Sequence, residues 1–247
     1  MSLVFTCSAD DGHPADLTLA GLLREHALPG TFYFPIRNQE GGPVLSGAGM
    51  RQVAAQFEIG SHTLDHQFLT RVGAAQAGAQ IVRGKRELED RLGRRVAGFC
   101  YPGGRYRPLH IGQVRAAGFD YARTTLNLCL DAGANRYEMA TTCQFYPHAR
   151  AVYLRNYLRG GAWPQRAGML LRALGEPDWE RRLYAMFAAA ERRGGVFHLW
   201  LHTADVEAQS AWPALAGFLA HVAARVPPSR RLSNGALALR SFGALKR

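Results

Sequence analysis

The fold is constrained most by a repeated alternation of short apolar runs with longer stretches of helical spacing. Residues 3–7 form the first apolar run, and residues 15–26 follow with leucines at helical intervals. The alternation recurs about seven times along the chain, which predicts a parallel sheet with right-handed crossovers. Near-continuous apolar strands are typical of a sheet or barrel that is buried on both faces.

The later elements follow the same pattern. Further strands are predicted at residues 31–35, 57–60, 98–101, 119–125, 139–145 and 196–202, and helices at residues 50–56, 74–92, 109–117 and 212–225. Residues 151–193 are predicted to be helical but fit the alternation less well. The tail from Ser229 is basic, and we expect it to pack loosely. Because the sequence contains no internal repeat and no interdomain linker, residues 1–247 are predicted to form a single domain.

Composition narrows the classes of partner. The chain of 247 residues carries a net charge of +11, which is compatible with nucleic acid, an anionic membrane or a phosphorylated substrate. No nucleic-acid-binding motif or dense basic run is present, so we expect no nucleic acid partner. The four cysteines are widely spaced and are interpreted as reduced core residues. The short start before the first strand leaves no room for a leader peptide, which predicts a cytoplasmic protein.

Two histidines four residues apart, His62 and His66, stand just after an apolar run. If this turn were helical, both imidazoles would lie on one face, and neutral imidazole is a common metal ligand. A third ligand must come from elsewhere, and the best candidate is the pair Asp10 and Asp11 at the end of the first strand. The alternatives are a packed or solvated histidine pair and an Asp-Asp-Gly turn.

The order of these motifs resembles a known family. Asp-Asp-Gly at 10–12, Ser-His-Thr-x-x-His at 61–66, an aromatic-Pro-Gly loop at 101–103 and a late His202 resemble the polysaccharide deacetylase family. These are the NodB-homology enzymes of carbohydrate esterase family four. The resemblance runs from about Val4 to about Glu207 and is least supported between Asn127 and Gly194. It implies an α/β fold, a distorted (β/α) barrel of about seven parallel strands, with ligands at the carboxyl ends of the strands.

The resemblance also implies roles at the site. Asp11, His62 and His66 would bind one divalent metal, for which we expect Zn, with Co, Ni or Mn as alternatives. Asp10 would be the general base toward a metal-bound water that acts as nucleophile, and His202 the general acid toward the leaving amine.

Substrate contacts are implied by the third motif. The backbone N–H of Gly103 after Pro102 would stabilise the oxyanion, and Tyr101 and Tyr106 would line the groove against a sugar ring. A plain turn and simple packing of both tyrosines are the alternatives.

His198 lies four residues before His202 on the same predicted strand, so both side chains would share one face. Because the later residue is nearer the end of the strand, we assign the acid to His202 and a structural role to His198.

Two departures from the family pattern affect the base. Many relatives begin the third motif with an arginine that orients the base, and this chain has Cys100 there. The family's fourth motif, an Asp-Trp arrangement, has no clear match. Arg123 lies on the next predicted strand, and neighbouring parallel strands end close together. We therefore predict that Arg123 replaces the missing arginine beside Asp10, with a surface arginine as the alternative.

The function implied is a metal-dependent hydrolase that removes an N-acetyl group from an acetamido sugar. Basic charge and the missing leader favour a small nucleotide- or lipid-phosphate-linked sugar over a polymer. A deformylase or other amide hydrolase acting on an amino sugar or a cyclic amide would use the same site. A non-catalytic carbohydrate-binding relative is the alternative from another class, although the catalytic residues expected of an enzyme are all present.

Residues 151–193 leave two interpretations open. Tyr153 and Leu154 beside Arg155 and Arg159 would suit a basic helix on a membrane surface, and equally a helix covering the end of the barrel. We favour the covering helix. The oligomeric state remains open.

Overall fold

The structure, a computed structural model, describes residues 3–244. Seven parallel strands form one curled sheet in the order β5-β4-β3-β2-β1-β7-β6, which confirms the distorted (β/α) barrel. The strands are β1 (Leu3–Asp10), β2 (Thr31–Phe34), β3 (Glu58–Ser61), β4 (Gly98–Cys100), β5 (Tyr121–Arg123), β6 (Cys143–Gln144) and β7 (Gly195–His202).

Helices make the crossovers and cover the sheet. They are α1 (Asp16–Glu25), α2 (Gly47–Ala54), α3 (Ala74–Leu92), α4 (Pro108–Ala116), α5 (Arg150–Gly160), α6 (Trp163–Gly175), α7 (Trp179–Arg193), α8 (Thr203–Ala208), α9 (Trp212–Arg225) and α10 (Asn234–Phe242). Among residues 3–244, no helix combines the length and the apolar character that crossing a membrane requires.

The strand register brings the candidate residues to one edge. Asp10 at the end of β1 is the Cα partner of His202 at the end of β7. On the other side of the sheet, Cys100 of β4 is the partner of Arg123 of β5. Because all pairs are parallel, the last residues of these strands lie together at the carboxyl edge.

The sheet is buried on both faces, as the apolar strands predict. On one face Phe5 and Phe197 stack with ring centroids 6.3 Å apart, and Phe187 of α7 packs edge-on against Phe197. On the inner face, the paired glycines Gly60 and Gly98 leave room for tyrosine rings. A Cβ atom on either glycine would collide with the side chain of a neighbouring strand's tyrosine, so these positions require glycine.

The C-terminal tail is the largest correction to the sequence expectations. Instead of packing loosely, it forms α10, whose first residue Asn234 is fully buried. The Asn234 side chain accepts a hydrogen bond from Thr6 Oγ1 and donates one to Tyr33 Oη, at 2.7 and 2.8 Å. Leu237 and Ala238 pack into the inner cluster, so the tail covers the barrel on the side opposite the candidate site.

Several element boundaries also differ. The fifth and sixth strands are shorter than residues 119–125 and 139–145, because the chain between them turns back and bonds to β5 itself, through the bridge between Arg123 and Met139 and the hydrogen bond from Ala122 N–H to the Arg136 carbonyl. Helix α2 begins at Gly47, before the predicted residue 50, since the hydroxyl of Ser46 caps it by accepting a hydrogen bond from the Gly49 N–H.

The less typical segment is three helices, α5 to α7. Helices α5 and α6 form an antiparallel hairpin: Arg150 donates to the Leu174 carbonyl at one end, and Tyr157 and Trp163 exchange hydrogen bonds at the other. The turn passes through Gly161 with a φ of 67°, a conformation that favours glycine. The prediction of helices here is right, and α5 covers the carboxyl edge of the sheet.

Candidate active site

The loop after β3 brings the two histidines together without a helix. Thr63 and His66 have φ values of 69° and 54°, in the left-handed region, so the chain from His62 to His66 is a tight non-helical turn. The His62 and His66 ring centroids are 5.0 Å apart. The helical explanation for their spacing is therefore wrong, because left-handed residues close the turn instead.

A similar turn places Asp11. Asp11 and Gly12 have φ values of 74° and 65°, which bends the chain sharply after Asp10. Asp11 Oδ1 lies 3.4 Å from His62 Nε2 and 3.1 Å from His66 Nε2. The three predicted metal ligands thus converge on one point at the carboxyl edge.

The donor set of this triad fits a divalent cation. His62 Nδ1 lies 2.8 Å from the Cys100 carbonyl, to which it donates, so the Nε2 lone pair faces Asp11. Asp11 Oδ1 is buried and has no hydrogen-bonding donor within the described chain. A carboxylate oxygen against imidazole nitrogens, with no proton donor aligned between them, is the arrangement that a metal ion completes.

The charges of the triad are coupled. Burial opposes ionisation of Asp11, but the adjacent imidazoles of His62 and His66 outweigh it and hold the pKa of that carboxyl well below its ordinary value. Burial likewise lowers the pKa of His66, yet the Asp11 carboxylate outweighs it and raises that pKa. The site therefore attracts positive charge, whether proton or metal.

A second group could also hold a cation, since Asp10, His62 and Cys100 lie within ligand distance of one another. Its chemistry is less suitable. Burial raises the pKa of the Cys100 thiol well above its ordinary value, and thiolate is the form that binds metal. Asp10 in this group is already paired with a guanidinium. The Asp11 group is the better candidate.

Arg123 and Asp10 form a fully buried ion pair. The Arg123 guanidinium donates to Asp10 Oδ1, and its carbon lies 5.2 Å from the ring centroids of both Tyr33 and Trp200. Burial lowers the pKa of a guanidinium, but the Asp10 carboxylate outweighs it and raises the pKa of Arg123. Arg123 at the end of β5 thus stands beside the predicted base at the end of β1, although three strands separate them in the order of the curled sheet.

His202 has its own carboxylate partner. Nδ1 lies 2.9 Å from Asp205 Oδ2, and Nε2 lies 3.7 Å from Asp11 Oδ2. Burial lowers the pKa of an imidazole, but the hydrogen bond to Asp205 and the charges of Asp11 and Asp10 raise the pKa of His202 to about 9. Asp205 thus fixes one ring nitrogen and leaves the other facing the triad.

His198 lies in a different environment. It is fully buried, with Nε2 2.9 Å from Ser8 Oγ and Nδ1 3.1 Å from the Ala140 carbonyl. Burial, together with the nearby charge of Arg123, lowers the pKa of His198 to about 3. Its two nitrogens are both occupied by protein groups, unlike those of His202.

A cavity of about 650 Å³ opens over the site. Asp10, Gly103, Tyr106 and His202 line it. Tyr106 is half-buried and donates to Glu138 Oε1 at 2.9 Å, so its ring is held at the cavity wall. Gly103 has a φ of 60°, which suits the glycine of this turn.

Two other residues of the third motif are not at the cavity surface. Tyr101 is fully buried, stacks on Tyr106 at 4.5 Å and donates to the Tyr137 carbonyl, so the expectation that it lines the groove is wrong. Its ring completes an aromatic layer with Phe99 behind the site. Pro102 is buried and begins the turn that carries Gly103.

Sequence reasoning missed two carboxylates of the site. Asp205 carried an available signal, because it lies three residues after His202 where a strand passes into a helix. Glu40, whose Oε2 lies 3.2 Å from His66 Nδ1, comes from the Gly-rich loop before α2 and has no local signal. Each places a negative charge behind an imidazole of the site.

A known protein family matches about the first half of the chain. Residues 5–122 match the family described as Polysaccharide deacetylase, and this part of the chain contains the metal-ligand candidates and Asp10. Among curated proteins, none matches the sequence.

Solved structures share the fold. A putative polysaccharide deacetylase from Mycobacterium smegmatis superposes with a TM-score of 0.63 and 17% identity, covering 100% of this chain and 94% of that one. A family 4 carbohydrate esterase from Streptomyces lividans, solved with acetate, gives 0.53 and 16%, covering 89% of each chain. Identities this low show similarity of fold alone.

Other solved deacetylases are longer than the matched region. This chain covers 62% of one from Streptococcus pyogenes and 46% of another from Bacillus anthracis, so it spans about half the length of these relatives. The family match over residues 5–122, together with the shared fold of the whole chain, shows that this chain resembles the polysaccharide deacetylase family.

Proposed function

We propose that this protein is a metal-dependent hydrolase that removes the N-acetyl group from an acetamido sugar. The observation that carries the proposal is the convergence of three groups at the carboxyl edge of the sheet: the Asp11–His62–His66 triad, the Asp10–Arg123 pair and the His202–Asp205 pair. When bound at the triad, a divalent metal, for which we expect Zn, supplies Lewis-acid chemistry toward water and the amide carbonyl.

Asp10 is the proposed general base. Its Oδ1 accepts from Arg123, and its Oδ2 has only the weak Cys100 thiol contact at 3.7 Å. Oδ2 is therefore the oxygen free to take a proton from the attacking water. Arg123 holds the carboxylate in one orientation through a charge-assisted hydrogen bond, and so lowers the reorganisation needed for the transfer.

His202 is the proposed general acid. Because Asp205 holds Nδ1, the Nε2–H faces the site and can deliver a proton to the departing amine nitrogen. The exposed backbone turn at Gly103 lines the same cavity, and its N–H is the proposed donor to the oxyanion. Tyr106 supplies a ring at the cavity wall against which a sugar can pack.

Amine release from acetylated amino sugars tests this function. Protein loaded with Zn should release amine from N-acetylglucosamine or its derivatives, and His202→Ala should keep the metal while turnover falls by ~10²–10⁴-fold. The matched control is His198→Asn on the same strand, which should keep turnover within about threefold and lower only stability.

The outcomes separate the alternatives. Release from formylated but not acetylated sugars would replace deacetylation with deformylation at the same residues. Loss of turnover in His198→Asn with normal turnover in His202→Ala would reassign the acid. Tight sugar binding without any amine release from the metal-loaded protein would contradict a hydrolase and favour a carbohydrate-binding protein.

A further inference from the structure

Two arginines of α5, Arg155 and Arg159, line the same cavity as Asp10 and His202. They lie one helical turn apart, and both are exposed. Within residues 3–244, neither has a hydrogen-bond or ion-pair partner. Like charges at this spacing disfavour a helix unless something neutralises them.

The rest of the cavity adds positive charge. Arg105 lines it from the third-motif loop, and Arg166 lies behind it, fully buried. The Arg166 guanidinium is satisfied by main-chain carbonyls and the Asn127 side chain, so its charge meets no carboxylate. Among the cavity-lining residues, Asp10 is the one carboxylate, and Arg123 already neutralises it.

We propose that Arg155 and Arg159 form a subsite for a phosphate group of the substrate, so that the substrate is a phosphate-linked acetamido sugar. This inference rests on the proposed function for the sugar half of the substrate. Guanidinium groups bind phosphate through several charge-assisted hydrogen bonds at once. A cavity of about 650 Å³ has room for a sugar together with one or two phosphates.

The phosphate could be carried by a nucleotide or by a lipid. Leu154 and Leu158, next to the two arginines on α5, are 43% and 61% exposed, so an apolar chain would have a surface beside the subsite. Both sources share the sugar phosphate, and the experiment includes one probe of each kind.

Binding is measured by calorimetry on the Zn-loaded protein, with four probes. They are N-acetylglucosamine, N-acetylglucosamine 1-phosphate, UDP-N-acetylglucosamine, and a polyprenyl diphosphate N-acetylglucosamine in phosphatidylcholine vesicles. We expect the phosphorylated probes to bind ~10-fold or more tightly than N-acetylglucosamine, with an advantage that falls as salt rises. The tighter of the last two identifies the source.

Charge variants assign the effect to the subsite. The double variant Arg155→Gln, Arg159→Gln should lose the ~10-fold preference, and the corresponding Arg→Lys pair should retain part of it. The matched control, Arg172→Gln, removes an exposed arginine of α6 that lies outside this cavity and should change nothing. An equal preference in wild type and the Gln pair would overturn the subsite.

Failure of the subsite and of the proposed function are distinguishable. If acetylated sugars release amine but phosphorylated and neutral forms bind and react alike, the subsite is wrong and the hydrolase stands. If no sugar releases amine but the phosphate preference is present and lost in the Gln pair, the subsite stands and the hydrolase is wrong.

Discussion

The carboxyl edge of the sheet and the helical segment α5–α7 handle buried charge differently. At the edge, Asp10 meets Arg123. In the helical segment, the buried guanidiniums of Arg166 and Arg182 meet main-chain carbonyls. Charge at the edge is therefore neutralised within the site, whereas charge in the helices remains as a positive field beside the cavity.

The two regions differ in how well their chemistry can be predicted from the sequence. The edge is made of short motifs at strand ends, where residue type and spacing predict chemistry. The helical segment is held by long side chains that reach carbonyls distant in sequence, such as Arg182 to His148, 34 residues away. We infer that the edge carries the reaction and that the helices select which sugar derivative reaches it.

The largest expected effect on stability comes from a substitution in the helical segment. Arg166→Met removes five hydrogen bonds, two to the buried Asn127 and three to the half-buried carbonyls of Asn156, Tyr157 and Gly161 at the end of α5. Leaving such acceptors unpaired should lower the free energy of unfolding by about 3 kcal/mol. Urea denaturation measures this, with Arg172→Met as the exposed control on α6.

The metal content of the same variant tests whether the helical segment and the metal site are structurally independent. Arg166→Met should still bind one Zn per chain, because its contacts do not reach the triad. Loss of metal in this variant at temperatures where it is folded would contradict the separation of the two regions.

The next effect is on the pH dependence of stability and comes from His198, which is buried inside the barrel. In the folded protein the pKa of His198 is lowered to about 3 from an ordinary value of 6.5. As pH falls below 6.5, the unfolded state takes up a proton that the folded state excludes, so the free energy of unfolding decreases down to about pH 3.

His198→Asn removes this one contribution. Between pH 6.5 and 5, the free energy of unfolding of the wild type should fall by about 1.6 kcal/mol more than that of the variant. Chemical denaturation at several pH values gives the difference, in which the titration of other groups cancels. Parallel curves for the two proteins would show that His198 is protonated normally in the folded state.

A smaller effect, on turnover, is expected at the carboxyl edge, where it tests how Arg123 orients Asp10. Arg123→Lys keeps a positive charge beside Asp10 but loses the planar fork of the guanidinium. We expect metal content to be unchanged, turnover to fall about tenfold, and the basic limb of the pH profile to move little. Unchanged turnover would mean that Asp10 does not need the fork for its orientation.

The sequence predicted Arg123 through a general property of parallel sheets. Because neighbouring strands end at the same edge, a residue on the strand after Cys100 could be expected to lie near Asp10, and the register pairs Cys100 with Arg123. The seven-stranded barrel follows from the alternation of strands and helices in the same way.

Other features could not be predicted from local pattern. His62 and His66 lie together as predicted but for a different reason, since left-handed residues and not a helix bring the two rings to the same point. Helix α10 is anchored by Asn234, whose partner Thr6 is 228 residues away. Tyr101 looks like a groove residue because of its neighbours, but the orientation of an aromatic side chain at a strand end depends on packing that spacing does not encode.

The Zn content of two variants decides whether Asp11, His62 and His66 bind the metal. His62 belongs to both possible ligand groups, so His66 and Cys100 are the residues that distinguish them. Zn content after equilibrium dialysis should be one per chain in the wild type and in Cys100→Ala, and close to zero in His66→Ala. Zn retained in His66→Ala but lost in Cys100→Ala would place the metal on Asp10, His62 and Cys100 and contradict the assigned roles of both aspartates.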